Sequence, residues 1–496
     1  NLIIKVNKKL INIHDQLFNS YFYQNHNLTI LKKLFFMDKS LKSIIDNQKN
    51  YFKSKKTLNI EFRIQKLKDL LNEIKSKEKD IELALFNDLG KSSGESYLTE
   101  IHFVYSEINI ALKGIKKWAK RKSVRSTLLN FPSSDYIIAE PYGNTLHISP
   151  WNYPFQLSIA PLIGAIAAGN TVLLKPSEYS DYTSQILNKI LNAVFDRGHV
   201  DVVLGGPNES TKLLEFKWDY IFFTGSVSVG KIIAKAAATN LTPTTLELGG
   251  KNPCIVDETA SIKVTAKRIV WGKFTNCGQT CIAPDFLIVN KKIKNDLIKE
   301  LIVQIIKTYS KDVIKCEEYG RIISEKHMKD LNSLIKNERI LHGGKFDMNS
   351  KFFEPTIVEV ENLDSKIMED EIFGPILPII EYNDFKEVDE LVNKYSHPLA
   401  LYIFTNRTEF GKKFLESYPF GGGAINDTVM HIANDRLPFG GVGQSGMGKY
   451  HGESTFDTFS HFKPYISKPL WIDPPLRYPP FKNKISFLKR ILKLIP

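Results

Sequence analysis

Two cysteines, Cys277 and Cys281, stand four apart in NCGQTCIAPD, between a glycine-containing turn and an apolar stretch. Thiols at this spacing admit three kinds of chemistry: metal ligation, a disulfide, or one nucleophile beside an inert neighbour. Zinc would need further Cys or His ligands at compatible spacing, and none lies near, so no metal is expected. Only Cys254 and Cys316 complete the cysteine set of this 496-residue chain, too few for a disulfide framework. Two buried inert thiols, or one reactive thiol with a bystander, remain open at this point.

Other stretches carry residue types suited to binding and catalysis. PWNYP (150–154) holds Asn152 between two prolines, where its amide could donate to a developing oxyanion or simply cap a turn. In LLKPSE (173–178), Lys175 and Glu178 follow a β-prone run; they could bond ribose hydroxyls or pair with each other at the surface. FFTGSVSVGK (222–231) runs strand, glycine, helix and supplies Gly225, Ser226 and Gly230. A helix N-terminus there would suit a pyrophosphate, yet the third glycine of the dinucleotide fingerprint is missing and an ordinary βα turn reads equally well. Glu247 precedes Gly249 and Gly250, where backbone can approach a ligand closely, and Glu371 stands two residues before Phe373 and a Gly-Pro turn. Lone glutamates like these are most often solvated or paired.

The elements that must position these residues follow from pattern. Residues 37–122 read as helical, with apolar positions three and four apart and Gly90 as a terminator. From 141 onward, short apolar strands alternate with helices: NTLHIS, TVLLK, DVVL and YIFF are the strands, with LSIAPLIGAIAAG, SQILNKILNAVF and VGKIIAKAAATN among the helices. This is the pattern of a parallel sheet covered on both faces, whose ligands bind at the carboxyl ends of the strands. Asn152, Lys175, Glu178, Gly225 and Ser226 all fall at such ends. A second α/β series, with PCIVDE, DFLIVN, GPILPIIEY and LALYIFT as strands, runs from about 249 to 421 and predicts a second domain across a cleft.

Bulk properties exclude other classes. An apolar fraction of 43% and a charged fraction of 24% are those of an ordinary globular protein. No apolar run approaches the roughly 20 residues of a membrane-spanning helix. The formal charge of +13 is concentrated in residues 1–36 and 463–496, which carry +4 and +7, so no basic nucleic-acid-binding domain is expected. Residues 1–36, mixed apolar and basic with the first methionine only at Met37, are expected to be a non-conforming extension and not a signal peptide.

Taken in order, PWNYP, KPSE, FTGSVSVG, LELGGK, NCGQTCIAPD, EIFGP and PFGGVGQSGMGKYHGESTFDTFSH closely resemble the aldehyde dehydrogenase superfamily, over nearly everything from Met37 onward. GQTCIAPD, NDTVMH and YHGESTFDTFSH resemble its class 3 branch, which includes fatty aldehyde dehydrogenases. The resemblance implies an α/β fold: a Rossmann-like NAD(P)-binding domain at 37–122 and 141–247, a second α/β catalytic domain at 248–421, and a small β oligomerisation element at 123–140 and 456–470.

It also implies roles. Cys281 occupies the nucleophile position, while Cys277 sits where the family needs no cysteine. The Asn152 amide and the Cys281 N–H would stabilise the oxyanion of a thiohemiacetal, and Glu247 would activate water against the thioester. Glu371 matches the nicotinamide-ribose ligand with Phe373 beside the ring. Lys175 and Glu178 match the adenine-ribose contacts, and Gly225, Ser226 and Gly230 the pyrophosphate region. The expected cofactor is NAD, with NADP accepted more weakly. The expected substrates are medium- to long-chain aliphatic or aromatic aldehydes. A homodimer in the cytoplasm is expected, with no nucleic-acid partner; the basic amphipathic tail at 471–496 would either make peripheral membrane contact or dock on its own dimer. His451 is read as structural. The alternatives are an acyl-CoA-forming dehydrogenase, a cysteine (thio)esterase without redox chemistry, or a catalytically silent scaffold.

Overall fold

The computed structural model describes residues 39–493. The extension expected at 1–36 and the last residues of the tail lie outside the described residues. A helix over residues 39–53 comes first among the described residues, and helices Ile60–Ser76 and Glu78–Leu89 follow, Ile60–Ser76 being capped by the Asn59 side chain. Gly90 ends Glu78–Leu89 at φ 62°, the left-handed conformation that releases a chain from a helix.

A six-stranded sheet forms the first layer, in the order Gly446–Met447, Thr244–Glu247, Tyr220–Thr224, Asn144–Ile148, Thr171–Lys175, Val200–Val202. All neighbours are parallel except Gly446–Met447. The chain leaves the central strand Asn144–Ile148 toward one edge, then returns to its other side with Tyr220–Thr224. The strand order therefore reverses between these two, and the crevice beyond their carboxyl ends is where such sheets bind ligands. The loop carrying Asn152 and the turn carrying Gly225 leave from these two strands.

The second sheet has seven strands: Arg339–His342, Thr356–Glu359, Ile376–Tyr382, Phe286–Asn290, Pro253–Val256, Ala400–Phe404, Gly422–Ile425. Only Arg339–His342 is antiparallel. Most of these strands are buried along their length, as near-continuous apolar runs such as FLIVN and ALYIF require. A third, antiparallel sheet joins Lys122–Val124, Ser134–Pro141 and Ser460–Ser467.

Residues 422–455 carry no assignment in the sequence reading, and here they serve both layers. Gly422–Ile425 extends the second sheet past residue 421. Its sequence, GGAI, lacks the β-branched alternation that marks a strand; glycine is needed because a Cβ at Gly423 would meet the Leu401 carbonyl at 2.3 Å. Gly446–Met447 then crosses back to the first sheet, pairing Gly446 with Glu247. Behind it, Thr455 of helix Glu453–Thr458 packs on Gly164 of Gln156–Ala168, so closely that a Cβ on Gly164 would meet Thr455 Cγ2 at 2.1 Å. Every residue of Gln156–Ala168 is buried, which accounts for a helix that is apolar all round.

Candidate active site

The two main sheets leave a cavity of about 710 Å³ between them, lined by Asn152, Gly225, Ser226, Glu247, Cys281, Glu371 and Phe373 together with mostly apolar neighbours. Cys281 reaches it from an unusual turn. Asn276, Cys277 and Gly278 are consecutively left-handed, at φ 53°, 52° and 70°. Such backbone costs roughly 1–3 kcal/mol per non-glycine residue and persists only where its surroundings over-determine it. They do. The Asn276 N–H donates to Glu95 Oε1 at 2.8 Å, and its side chain donates to the carbonyls of Asn152 and Gln279. The fully buried Gln279 amide donates to the Asn276 and Arg321 carbonyls and accepts from the Ile323 N–H. Asn252 then holds the Cys281 carbonyl at 2.7 Å.

This turn separates the two thiols. Cys277 is fully buried in the core beside Tyr319, whose hydroxyl donates to the Phe353 carbonyl. Cys281 is half-buried in the cavity wall. Burial pushes its thiol up, and the carboxyls of Glu371 and Glu247 push in the same direction. All described cysteines are free, and no cluster of candidate metal ligands occurs among the described residues.

Glu247 ends the strand Thr244–Glu247 with both carboxyl oxygens buried and without a hydrogen-bond partner among the described residues. Burial drives this carboxyl well above its usual range. Glycine in the backbone beyond it lets Glu371 come close: a Cβ on Gly249 would meet Glu371 Oε2 at 1.9 Å. The Glu371 carboxyl is pushed up to about 8, first by burial and then by Asp285. Its loop is pinned by Lys251, which pairs with Asp285 at 2.6 Å and donates to the Ile367 and Asp370 carbonyls, while Asp285 accepts from the Ile372 N–H. Phe373, left-handed at φ 53°, offers its carbonyl to His327 and its ring edge to Trp151.

Asn152 is buried and spends one amide N–H on the Gln279 carbonyl at 3.0 Å, which fixes the plane of the amide; its second N–H has no partner among the described residues. Ser226 caps helix Val227–Thr239 and stands at the cavity rim with Gly225. Gly230 does not line the cavity. It lets that helix approach Leu248, whose Cδ2 would lie 2.5 Å from a Cβ. Lys175 and Glu178 lie apart from the cavity, at the end of the neighbouring strand: Lys175 is buried, donates to the Pro176 carbonyl at 2.8 Å and sits 3.6 Å from Glu178. His451 is buried with both ring nitrogens unpartnered and is pushed down to about 3 by burial, the state of a neutral packing histidine.

Sequence reasoning missed Glu95, Gln279 and Lys251, which hold the site without entering it. Their partners lie far away along the chain, so no local pattern marks them.

The aldehyde dehydrogenase family model matches residues 36–464. The chain belongs to the aldehyde dehydrogenase family. It is 46% identical, over 90% of this chain and 98% of the relative, to 4,4'-diaponeurosporen-aldehyde dehydrogenase of Staphylococcus aureus. It is 41% identical to the dimeric NADP-preferring aldehyde dehydrogenase of Mus musculus over 90% of this chain and 99% of that one. It is also 41% identical to aldehyde dehydrogenase family 3 member A2 of Pongo abelii, over 89% and 92%. Among solved structures, the substrate-bound state of Staphylococcus aureus AldH superposes with a TM-score of 0.90 at 45% identity, covering 91% and 99%. The class 3 resemblance and the aldehyde dehydrogenase fold therefore hold. This dehydrogenase is an oxidoreductase that converts aldehydes to carboxylic acids with a nicotinamide cofactor; the acyl-CoA-forming and redox-free readings are not favoured.

Proposed function

We propose that Cys281 is the nucleophile, that the Asn152 amide and the Cys281 N–H receive the oxyanion, and that Glu247 is the base that activates water. The observation that carries this reading is the meeting, in one cavity, of a half-buried thiol, a partnerless carboxyl and an amide with a free N–H. Thiolate addition to the aldehyde carbon makes a tetrahedral thiohemiacetal, whose oxygen takes the charge that the two N–H groups offset. Loss of hydride leaves a thioester on Cys281. Glu247 then takes a proton from water as its oxygen bonds to the acyl carbon, and the carboxylic acid departs as the sulfur is released.

The cofactor groups fit a nicotinamide nucleotide. Gly249 leaves room for Glu371, the Gly225–Ser226 turn opens a helix N-terminus at the rim, and the Thr224 hydroxyl is buried without a partner. When bound, the nicotinamide accepts the hydride; Glu371 would hold its ribose, with Phe373 beside the ring. Lys175 and Glu178 would meet the adenosine end.

The mouth of the cavity is apolar, with Leu98, Trp271 and Met430 exposed at its rim, which supports medium- to long-chain or aromatic aldehydes as substrates. The test is NADH or NADPH formation across an aliphatic and aromatic aldehyde panel with each nucleotide; no reduced cofactor with any aldehyde would end the reading. The same assay tests cofactor choice. A carboxylate at Glu178 repels a 2′-phosphate, and Lys175 is already committed to Pro176 and Glu178. We therefore expect NAD⁺ to have the higher kcat/KM, and Glu178→Gln to raise the NADP⁺-to-NAD⁺ ratio. An unchanged ratio would remove Glu178 from the ribose contact.

The described part of the tail ends in helix Ile485–Lys493, with Ile485, Phe487 and Leu492 exposed and Lys489, Arg490 and Lys493 on the same short element. No described helix is long and apolar enough to cross a membrane. The reading is peripheral contact with an anionic bilayer surface, supported by an exposed Trp471 upstream of the basic helix. Full-length protein is expected to co-sediment with anionic vesicles at low salt, less at high salt, and not after deletion of 482–496. Indifference of the full-length protein at low salt overturns it. A homodimer in the cytoplasm completes the proposal: the small antiparallel sheet with Ser460–Ser467 at its edge, and the exposed Leu128, Leu129 and Phe131 in the loop that precedes Ser134–Pro141, offer the surface.

A further inference from the structure

We propose that the buried pair Lys91–Glu100 is a positioning device for the oxyanion-binding amide, acting on the Asn152 loop without touching substrate; this rests on the reading of Asn152 as the oxyanion donor. Both side chains are completely buried, and Lys91 Nζ lies 2.5 Å from Glu100 Oε1. The same ammonium donates to the Asn152 carbonyl at 3.1 Å and stands 4.0 Å from the Tyr153 ring centre. The second oxygen, Glu100 Oε2, accepts from the N–H groups of Phe155 and Gln156, at 2.9 and 3.2 Å.

Those two N–H groups open helix Gln156–Ala168. Its N-cap residue is Phe155, which has no side-chain acceptor, so Glu100 supplies from a distant helix the cap that the local sequence lacks. Lys91 and Glu100 thus grip the loop 152–156 at both ends. On the far side, Asn276 donates to the same Asn152 carbonyl and the Tyr153 hydroxyl meets Thr280 at 2.6 Å, tying the loop to the strained turn before Cys281. With its backbone carbonyl held by two donors, Asn152 has little freedom to move its amide relative to the thiol.

The way Glu100 is delivered supports a dedicated role. It lies in a π-helical turn, Tyr97–Ile101, between the α-helical segments Ser93–Ser96 and His102–Trp118. Such insertions re-aim side chains and recur at functional sites. Here the turn buries Glu100 while Leu98, Thr99, His102 and Phe103 line the cavity. One stretch of helix therefore presents the wall that substrate passes and the carboxylate that fixes the loop behind the reacting atoms.

The test is a double-mutant cycle of Glu100→Gln with Asn152→Ala, measured as kcat and KM for aldehyde oxidation with saturating cofactor, alongside thermal melting and cofactor affinity. Glu100→Gln is expected to lower kcat by about 10- to 100-fold with little change in KM or cofactor affinity. In the Asn152→Ala background the same substitution should change kcat by no more than about twofold, because the loop then has no amide left to position. Should the single variant fail to fold, Lys91→Met/Glu100→Gln, which removes both members of the pair together, is put through the same cycle with the same expectation. Losses that multiply independently, or a Glu100→Gln enzyme with wild-type kcat, would overturn the positioning role alone. An Asn152→Ala enzyme with wild-type kcat would instead overturn the oxyanion reading on which it stands.

Discussion

Cys281→Ala is expected to leave less than about a thousandth of wild-type NAD(P)H formation, while Cys277→Ala keeps most of it. The asymmetry follows from the turn at 276–278, which sends one thiol into the cavity and the other into the core beside Tyr319. Cys277→Ala removes a buried sulfur and should lower stability by about 1–2 kcal/mol without touching the chemistry. Iodoacetamide should label Cys281 in the native enzyme. Because burial and two carboxyls hold that thiol protonated, labelling should accelerate as pH rises through the alkaline range. Peptide mapping of the labelled protein, with steady-state rates of the two variants, checks both points. Labelling at Cys277 together with loss of activity in Cys277→Ala would reverse the assignment.

The second large effect is expected at Glu247. Glu247→Gln should lower steady-state turnover by about 10²- to 10⁴-fold, the usual contribution of a positioned general base. If deacylation is the step that fails, a rapid burst of reduced cofactor should precede the slow steady state, and intact-mass analysis should find acyl-enzyme. The same substitution removes one of the carboxyls that raise the Cys281 thiol, so Cys281 should be alkylated faster in the variant than in wild type. A slower enzyme with a more reactive thiol is hard to produce by general damage. The pH profile adds a sign. Burial holds the Glu247 carboxyl protonated well above the usual carboxylate range, so the active carboxylate grows with pH and wild-type turnover should rise toward alkaline pH. That limb should be missing in Glu247→Gln. Wild-type turnover in the variant would sink the role.

What the sequence by itself determined is the chemistry and most of the elements. Asn152, Glu247, Cys281 and Glu371 could be named because short motifs resemble those of a known family, and the residue types suit acyl chemistry. The parallel strands could be found because TVLLK, YIFF and FLIVN are apolar without interruption, which burial on both faces demands. The tertiary structure decided what those motifs do to one another. A four-residue spacing cannot say which thiol faces solvent; three left-handed residues, held by Glu95, Asn152 and Gln279, decide it. Glycines in GGAI and GMG hide two strands from any propensity argument, because they are chosen for close backbone approach and not for side-chain packing. The grip of Lys91 and Glu100 on the Asn152 loop spans 55 to 61 positions along the chain, and the pair reads locally as one lysine and one glutamate. Local sequence encodes local conformation and residue chemistry, whereas the field around a buried group is set by neighbours that only folding brings within a few ångströms.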